Sequence, residues 1–310
     1  MTATPASALE QVACNLCAAD RPRPLFVKNG LRIVACGECG LIYVHPRPTP
    51  PTQEEFYRTS GYFSAKPHLA SEDMGSLSAQ MRRQALRDIN SLVPRGRLLD
   101  VGCATGRFLE MARADGWIVS GVEISQYAAD HARRQRGLDV FQGDLVSSRL
   151  ADGAYDVVHM WDLIEHLHDP AAVIREAHRI LKPGGVLFVS TVNFDGVSRR
   201  LIGSEMEQVC PDEHLYYFTR RTLCRLATRC GFEPIRTQTI YIYLQNMVRL
   251  VSKLLPVPKT REKDDARYAK TFLAVDQRSY LWPLIRICNV MLQVTGTGDE
   301  LILYARKPLV

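Results

Sequence analysis

The chain has 310 residues, 46% apolar and 23% charged, which excludes a disordered or fibrous chain and allows a sizeable core in one or two domains. Its formal net charge of +6 carries no basic tail or dense Lys/Arg block, so charge alone does not argue for nucleic acid. The opening "MTATPASALEQVAC" lacks the basic start and apolar core of an export signal, no run approaches the roughly 18 apolar residues of a membrane span, and nine cysteines, an odd number, fit a reducing cytoplasm better than a disulfide framework.

Residues 1–13 read as disordered. Next come Cys14-x2-Cys17 and Cys36-x2-Cys39, two knuckles 18 residues apart. That spacing suits a zinc ribbon, in which four thiolates close a tetrahedral structural site and leave no catalytic position open. A module this short builds little core, so metal binding would supply its folding energy. A redox couple is disfavoured because no βαβ context surrounds either pair; an iron site shares the same donors. "HPRPTPPT" (His45–Thr52) is proline-dense and reads as a stiff linker. The expected organisation is a zinc-ribbon-like module over 1–50, a linker with lid helices over 51–95, and a Rossmann-like domain over 96–310.

A helical stretch near Ser76–Leu92 leads into alternating elements. Strands are expected at 97–101, 117–122, 138–142, 155–160 and 185–191, and helices near 105–115, 125–136 and 170–181. Asp169-Pro170 starts the last of these helices and "KPGG" (Lys182–Gly185) stops it. Such alternation predicts an α/β fold with a doubly wound, mostly parallel sheet. A helix near 219–230 behind Thr219, a strand near 232–241 and a last strand at 300–307 complete it. An insert at about 242–297 interrupts the final hairpin. Leu244, Met247, Val248, Val251, Leu254 and Leu255 give the insert one apolar helical face. Leu281–Val294 is apolar except for one stripe of Arg286, Asn289 and Gln293.

The densest chemical signal is "LLDVGCATGRFLE" (Leu98–Glu110): a buried strand ending in Asp100, then Gly102 and Gly106 bracketing the turn into a helix. Ligands of doubly wound folds bind at the carboxyl ends of the strands. A dinucleotide would want G-x-G-x-x-G, but position 104 is Ala, which disfavours a nucleotide-dependent oxidoreductase. Glu123 ends the second strand, where an acid can hold both ribose hydroxyls. Asp144 follows the third, where it can accept from an adenine amino group. Asp100 suits a cationic neighbour.

These stretches, with "YDVVHMWDLIEHLHDP" and "LKPGG", resemble the class I S-adenosylmethionine-dependent methyltransferases over roughly 97–240 and the last strand. The resemblance implies S-adenosylmethionine as cofactor. It implies that Gly102, Cys103, Ala104 and Gly106 border the methionine part, that Glu123 and Ile124 hold the ribose, and that Asp144 and Leu145 flank the adenine. Trp161 would line the adenine or acceptor side. A ribbon ahead of such a domain is similar to a group that includes sugar C-methyltransferases of antibiotic biosynthesis.

Methyl transfer is an in-line displacement at an activated carbon, and an oxygen acceptor needs a base. His166, after the fourth strand, and His214, in "CPDEHLYYFT", are the candidates. Asp162, Glu165 and His166 also resemble the Glu-x-x-Glu-His pattern of ubiquinone-pathway O-methyltransferases, where a divalent cation helps the hydroxyl ionise; with Asp first, Mg2+ ranks below a metal-free site. Tyr216 and Tyr217 could contact the acceptor, and Tyr62, with Tyr57, could fold over the site as a lid. The expected acceptor is a small molecule, a sugar or a lipid-linked intermediate. Nucleic-acid methylation guided by the ribbon, or a catalytically silent cofactor-binding regulator, ranks lower. The insert suits peripheral membrane contact or a homodimer surface, with helix packing on the sheet ranked first.

Overall fold

The computed structural model describes residues 9–49, 77–243, 246 and 282–309. The N-terminal strands are β1 (Leu9–Glu10), β2 (Pro22–Lys28), β3 (Leu31–Cys36), β4 (Ile42–Val44) and β5 (Arg47–Pro48). β2, β3 and β4 form an antiparallel meander, and β1 pairs with β5. This corrects two expectations. The residues just before Cys14 are not loose, and the proline-dense stretch begins docked: Pro48 lies opposite Leu9 and Arg47 opposite Glu10. Pro48 lacks an N–H donor, but an edge pair this short needs few.

The expected Rossmann-like elements follow in order. They are α1 (Leu77–Leu92), β6 (Arg97–Val101), α2 (Arg107–Ala114), β7 (Ile118–Glu123), α3 (Gln126–Arg136), β8 (Val140–Gln142), β9 (Tyr155–Trp161), α4 (Pro170–Ile180) and β10 (Leu181–Val192). α4 starts where the sequence predicts, with Asp169 accepting from Ala172 N at 2.9 Å. Its stop differs. "KPGG" lies inside β10 as an irregularity between Leu181, opposite Tyr155, and Val186, opposite Val157. There Lys182 Nζ meets both carboxylate oxygens of Asp156 at 2.8 Å.

The chain continues through α5 (Val197–Ile202), β11 (Tyr216–Tyr217), α6 (Arg220–Arg229), β12 (Glu233–Ile240), α7 (Trp282–Thr295) and β13 (Glu300–Arg306). Thr219 and Thr222 form a reciprocal cap at the start of α6. The seven-stranded sheet has the order β12-β13-β10-β9-β6-β7-β8. β6 through β10 are parallel and only β13 is reversed. The winding changes direction between β6 and β9, which opens a crevice at their carboxyl ends. Both faces are covered, so Leu98, Leu99, Val157, Val158, Phe188 and Val189 are essentially inaccessible. Each such side chain contributes about 1.5–3 kcal/mol by burial.

β11 does not join this sheet. It pairs with β4, Tyr216 opposite Tyr43 and Tyr217 opposite Ile42, making the meander four-stranded. The cores merge accordingly: Leu16, Val34 and Tyr43 share one apolar cluster with Ile164, Leu215 and Phe218. The insert's apolar face from Leu244 to Leu255 lies outside the described residues. In α7 Asn289 is half-buried and its Oδ1 accepts from Tyr241 N at 2.9 Å, while Gln293 of the same stripe is exposed. Ile287, Val290, Met291 and Val294 point to solvent, each at least 60% exposed.

Candidate functional site

The glycine turn follows β6 as expected. Gly102, Ala104 and Gly106 all have left-handed backbone, with φ of 74°, 48° and 82°. Gly102 N and Cys103 N both donate to Val122 O, at 2.8 and 3.2 Å. The two glycines serve different neighbours. A Cβ on Gly102 would come 3.1 Å from Leu163 Cδ1, in the loop after β9, so this glycine keeps the crevice floor clear. A Cβ on Gly106 would come 2.4 Å from Leu138 Cδ1 and 3.0 Å from Ala132 Cβ, so this one lets the turn close against α3. The Cys103 side chain is buried and points toward Gly121, where an added Cβ would lie 2.6 Å from Sγ. Burial holds its thiol well above the usual range, with Asp100 and Glu123 adding to the effect. Cys103 therefore offers the site its backbone rather than a thiolate.

Glu123 ends β7 and is 7% exposed. Its Oε2 accepts from Ala104 N and its Oε1 from Ser125 N, both at 2.8 Å. The carboxylate ties the glycine turn to the next loop, and each oxygen keeps lone-pair capacity for a further donor. Burial raises its carboxyl despite those bonds. Ile124 is half-buried, and its carbonyl accepts from Gln142 Nε2 at 3.1 Å. Asp144 is exposed beyond β8; its Oδ1 accepts from Ser147 N at 2.9 Å while Leu145 beside it is buried. Burial pushes the Asp144 carboxyl up, but the bonds from Ser147 outweigh it and hold it below the usual range.

Asp100 has a neighbour the sequence reading missed. His159 lies directly across from it in the parallel β6–β9 pair, and its Nδ1 is 2.6 Å from Asp100 Oδ1. The ring is clamped between Phe108 and Phe188, with centroids 3.8 and 4.5 Å away. His159 is fully buried and its Nε2 has no hydrogen-bond partner among the described residues. The neutral tautomer that leaves Nε2 bare donates Nδ1–H to the carboxylate. Trp161, at the end of β9, stacks with Phe188 at 5.5 Å beneath the Arg82 guanidinium, 5.6 Å above its ring. It stands beside β10 and two strands from β7.

Past Trp161, Asp162 sits at φ 47° and donates its backbone N–H to Ser190 O at 3.1 Å. The protein walls around it raise its carboxyl, with Arg82 opposing. Glu300, at the start of β13, accepts from Ser190 Oγ and Tyr243 OH. Glu165 is 1% exposed with Oε2 unpartnered among the described residues, and burial together with Asp162 pushes its carboxyl to about 8.

The two candidate histidines, 48 positions apart in the chain, meet here. Their rings are perpendicular with centroids 4.6 Å apart. His166 Nδ1 lies 3.0 Å from Glu213 O and His214 Nδ1 lies 2.8 Å from Gln208 O. A carbonyl only accepts, so both Nδ1 atoms carry hydrogen and Nε2 is the basic nitrogen of each neutral ring. Glu165, His166 and His214 each offer one ligand atom within 4.8 Å of the others.

Of the expected acceptor contacts, Tyr62 and Tyr57 lie outside the described residues. Tyr216 does not face the crevice. Its hydroxyl accepts from Arg47 Nη1 at 2.8 Å and donates to His168 O at 3.2 Å, a role that follows from β11 pairing with the N-terminal meander. Tyr217 is buried in an apolar cluster with Phe194, 5.4 Å between rings, and its hydroxyl is unpartnered. It reaches His214 only edge-on at 6.4 Å.

The four cysteines converge. Cys14 and Cys39 sulfurs are 3.4 Å apart, Cys17 and Cys36 sulfurs 3.5 Å, and all four lie within 4.8 Å of one another. A tetrahedral zinc with Zn–S of about 2.3 Å spaces its sulfurs about 3.8 Å apart, so the residues fit that ion.

A family model for a methyltransferase domain matches residues 77–237, just over half the chain. The chain belongs to this methyltransferase family. Among curated proteins, the ubiquinone biosynthesis O-methyltransferase of Pseudomonas aeruginosa PAO1 is 35% identical over 103 residues, covering 31% of this chain and 44% of that protein. The protein of the same description from Thiobacillus denitrificans is 33% identical over 150 residues, covering 44% and 64%. The chain thus spans about half the length of the curated relatives it matches. Two solved structures share the fold. The cyclase SpnF is 22% identical with TM-score 0.53, covering 85% of this chain and 99% of that one. A SAM-dependent methyltransferase from Archaeoglobus fulgidus is 17% identical with TM-score 0.51, covering 79% and 99%.

Proposed function

We propose that this protein binds S-adenosylmethionine in the crevice between β6 and β9 and moves its methyl group to a small-molecule, sugar or lipid-linked acceptor. The bound cofactor supplies a sulfonium-activated methyl; the chain supplies position and a base. Asp100, oriented by His159, faces the cofactor's ammonium. Gly102, Cys103 and Ala104 border the methionine part through their backbone. Glu123 and Ile124 hold the ribose, and Asp144 and Leu145 flank the adenine. His166 or His214 takes the acceptor's proton on Nε2.

The observation that carries this reading is the meeting of His166 and His214 at the loop after β9, the loop whose Leu163 lies against Gly102. Hydrogen-bonded tautomers that leave Nε2 basic suit a general base. One specific observation favours a second reading. Glu165, His166 and His214 have the reach and donor set for a divalent cation that would help an acceptor hydroxyl ionise. Cys14, Cys17, Cys36 and Cys39 would hold a structural zinc away from the chemistry.

Incubation with methyl-labelled S-adenosylmethionine and cytosolic or lipid extracts, followed by mass spectrometry, tests the reading. A labelled product that His166→Ala or His214→Ala abolishes supports it. Product formation indifferent to both substitutions rejects the histidine base. Label in nucleic acid alone rejects the small-molecule acceptor. Tight cofactor binding without transfer to any fraction would favour a silent regulator.

A further inference from the structure

The cysteine module has no part in the chemistry proposed above, yet its contacts converge on one place. Asn15, between the first two cysteines, reaches the segment behind His166. Its Nδ2 donates to Asp169 Oδ1 at 2.8 Å and its Oδ1 accepts from Ala171 N at 3.0 Å. Asn15 thereby braces the residue that caps α4. Arg47, 9% exposed, makes the second tie. Its Nη1 donates to His168 O at 2.7 Å and to Tyr216 OH at 2.8 Å, while its Nε donates to Glu10 Oε1 at 2.8 Å.

The third tie is backbone. Val44 N, in β4, donates to Leu215 O at 2.9 Å, and Leu215 N donates to Glu165 O at 2.8 Å. His214 immediately precedes Leu215, and His166 immediately follows Glu165. The module therefore grips both histidine-bearing loops, one through two side chains and the other through strand pairing. Loops that carry functional groups belong to the least stable parts of a fold. A displacement of about 1 Å at a reacting group costs about a hundredfold in rate, so holding two such loops in register has a chemical consequence.

We infer that the N-terminal cysteine module is a positioning device: through Asn15, Arg47 and β4 it fixes His166 and His214 relative to each other. This rests on the reading that the two histidines serve the acceptor. It assigns the module an intramolecular partner, the loops at 163–171 and 208–217, in place of a nucleic acid. None of its three ties touches the glycine turn or Glu123, so cofactor binding is independent of it.

Amide hydrogen exchange on the full chain, read by mass spectrometry, tests this with the variants Asn15→Ala and Arg47→Met. Losing two hydrogen bonds in Asn15→Ala, or three in Arg47→Met, should speed exchange about tenfold, in 163–171 for the first and in both 163–171 and 210–217 for the second. The NMR ring signals of His166 and His214 should move in both variants, and Arg47→Lys should restore part of the change. Metal content, exchange in 98–110 and calorimetric affinity for S-adenosylhomocysteine should stay at wild-type values. Unchanged exchange and ring signals in both variants would overturn the inference. So would a uniform rise in exchange across the sheet with parallel loss of ligand affinity, which would mark the module as core packing only. If the wild-type protein fails to bind S-adenosylhomocysteine, the cofactor reading falls while the exchange result still decides the positioning role.

Discussion

Asp100→Asn separates the two ends of the proposed cofactor. The substitution keeps the shape of the side chain and an oxygen to accept from His159 Nδ1–H, now at 2.6 Å from Asp100 Oδ1. What it removes is a negative charge at 3% exposure, where screening by water is weak. A hydrogen bond to a charged partner contributes about 1.5–3 kcal/mol against about 1 for a neutral pair, so losing the ammonium's partner should cost about 1–2 kcal/mol of binding. That is about a five- to thirtyfold rise in Kd for S-adenosylhomocysteine. Methylthioadenosine, which has the adenosine and sulfur but no amino acid, should bind variant and wild type alike. Isothermal calorimetry with both ligands is the assay, and a thermal scan checks that the variant is folded. Equal weakening of the two ligands, or no weakening of either, would refute the assignment of Asp100 to the ammonium.

Glu123→Ala should behave in the opposite way, weakening both ligands together by about tenfold or more, because it loses the ribose acceptor and also the bonds from Ala104 N and Ser125 N; unaltered calorimetric affinity would reject the ribose role. Glu165 gives a pH signature: its folded carboxyl, pushed to about 8, lies above its unfolded value, so the stability it contributes is full at low pH and drains away as pH rises through about 8. Between about pH 6.5 and about pH 8.5 the metal-free protein should lose about 2 kcal/mol that Glu165→Gln retains, and denaturant melts with identical pH slopes for the two proteins would contradict this. Elemental analysis of the purified protein should find about one zinc per chain, abolished by pairwise Cys→Ser changes in the knuckles. The outward stripe of Ile287, Val290, Met291 and Val294 predicts co-flotation with anionic vesicles that Val290→Asp with Val294→Asp removes; a protein that stays with the soluble fraction, or a dimer that the same substitutions dissociate, would assign that face to a second copy.

The glycine-turn half of the candidate site was legible in the sequence because it is built from local patterns. The glycine turn, the acids at the ends of β7 and β8 and the Asp169 cap each follow from residues close together in the chain, and a doubly wound fold brings the strand ends to one edge whatever the loops do. The half beyond β9 was not. Tyr216 reads as an aromatic beside a candidate base, but its neighbour is Arg47, 169 positions away, and only the pairing of β11 with β4 reveals that. His159 reads as one more residue of an apolar strand. A faint signal existed in the register, since Asp100 and His159 both stand near the carboxyl ends of strands that turn out to be adjacent.

By itself, then, the amino-acid order determined the alternation of strands and helices, the cysteine spacing and the acids of the glycine motif, since period, capping and turn chemistry act over a few residues. Tertiary structure alone decided that two histidines 48 positions apart share one corner, that the cysteine module adds a fourth strand from residues 216–217, and that Asn289 of α7 bonds Tyr241. Those outcomes depend on which surfaces bury one another, a long-range balance of packing and backbone pairing that no local pattern encodes.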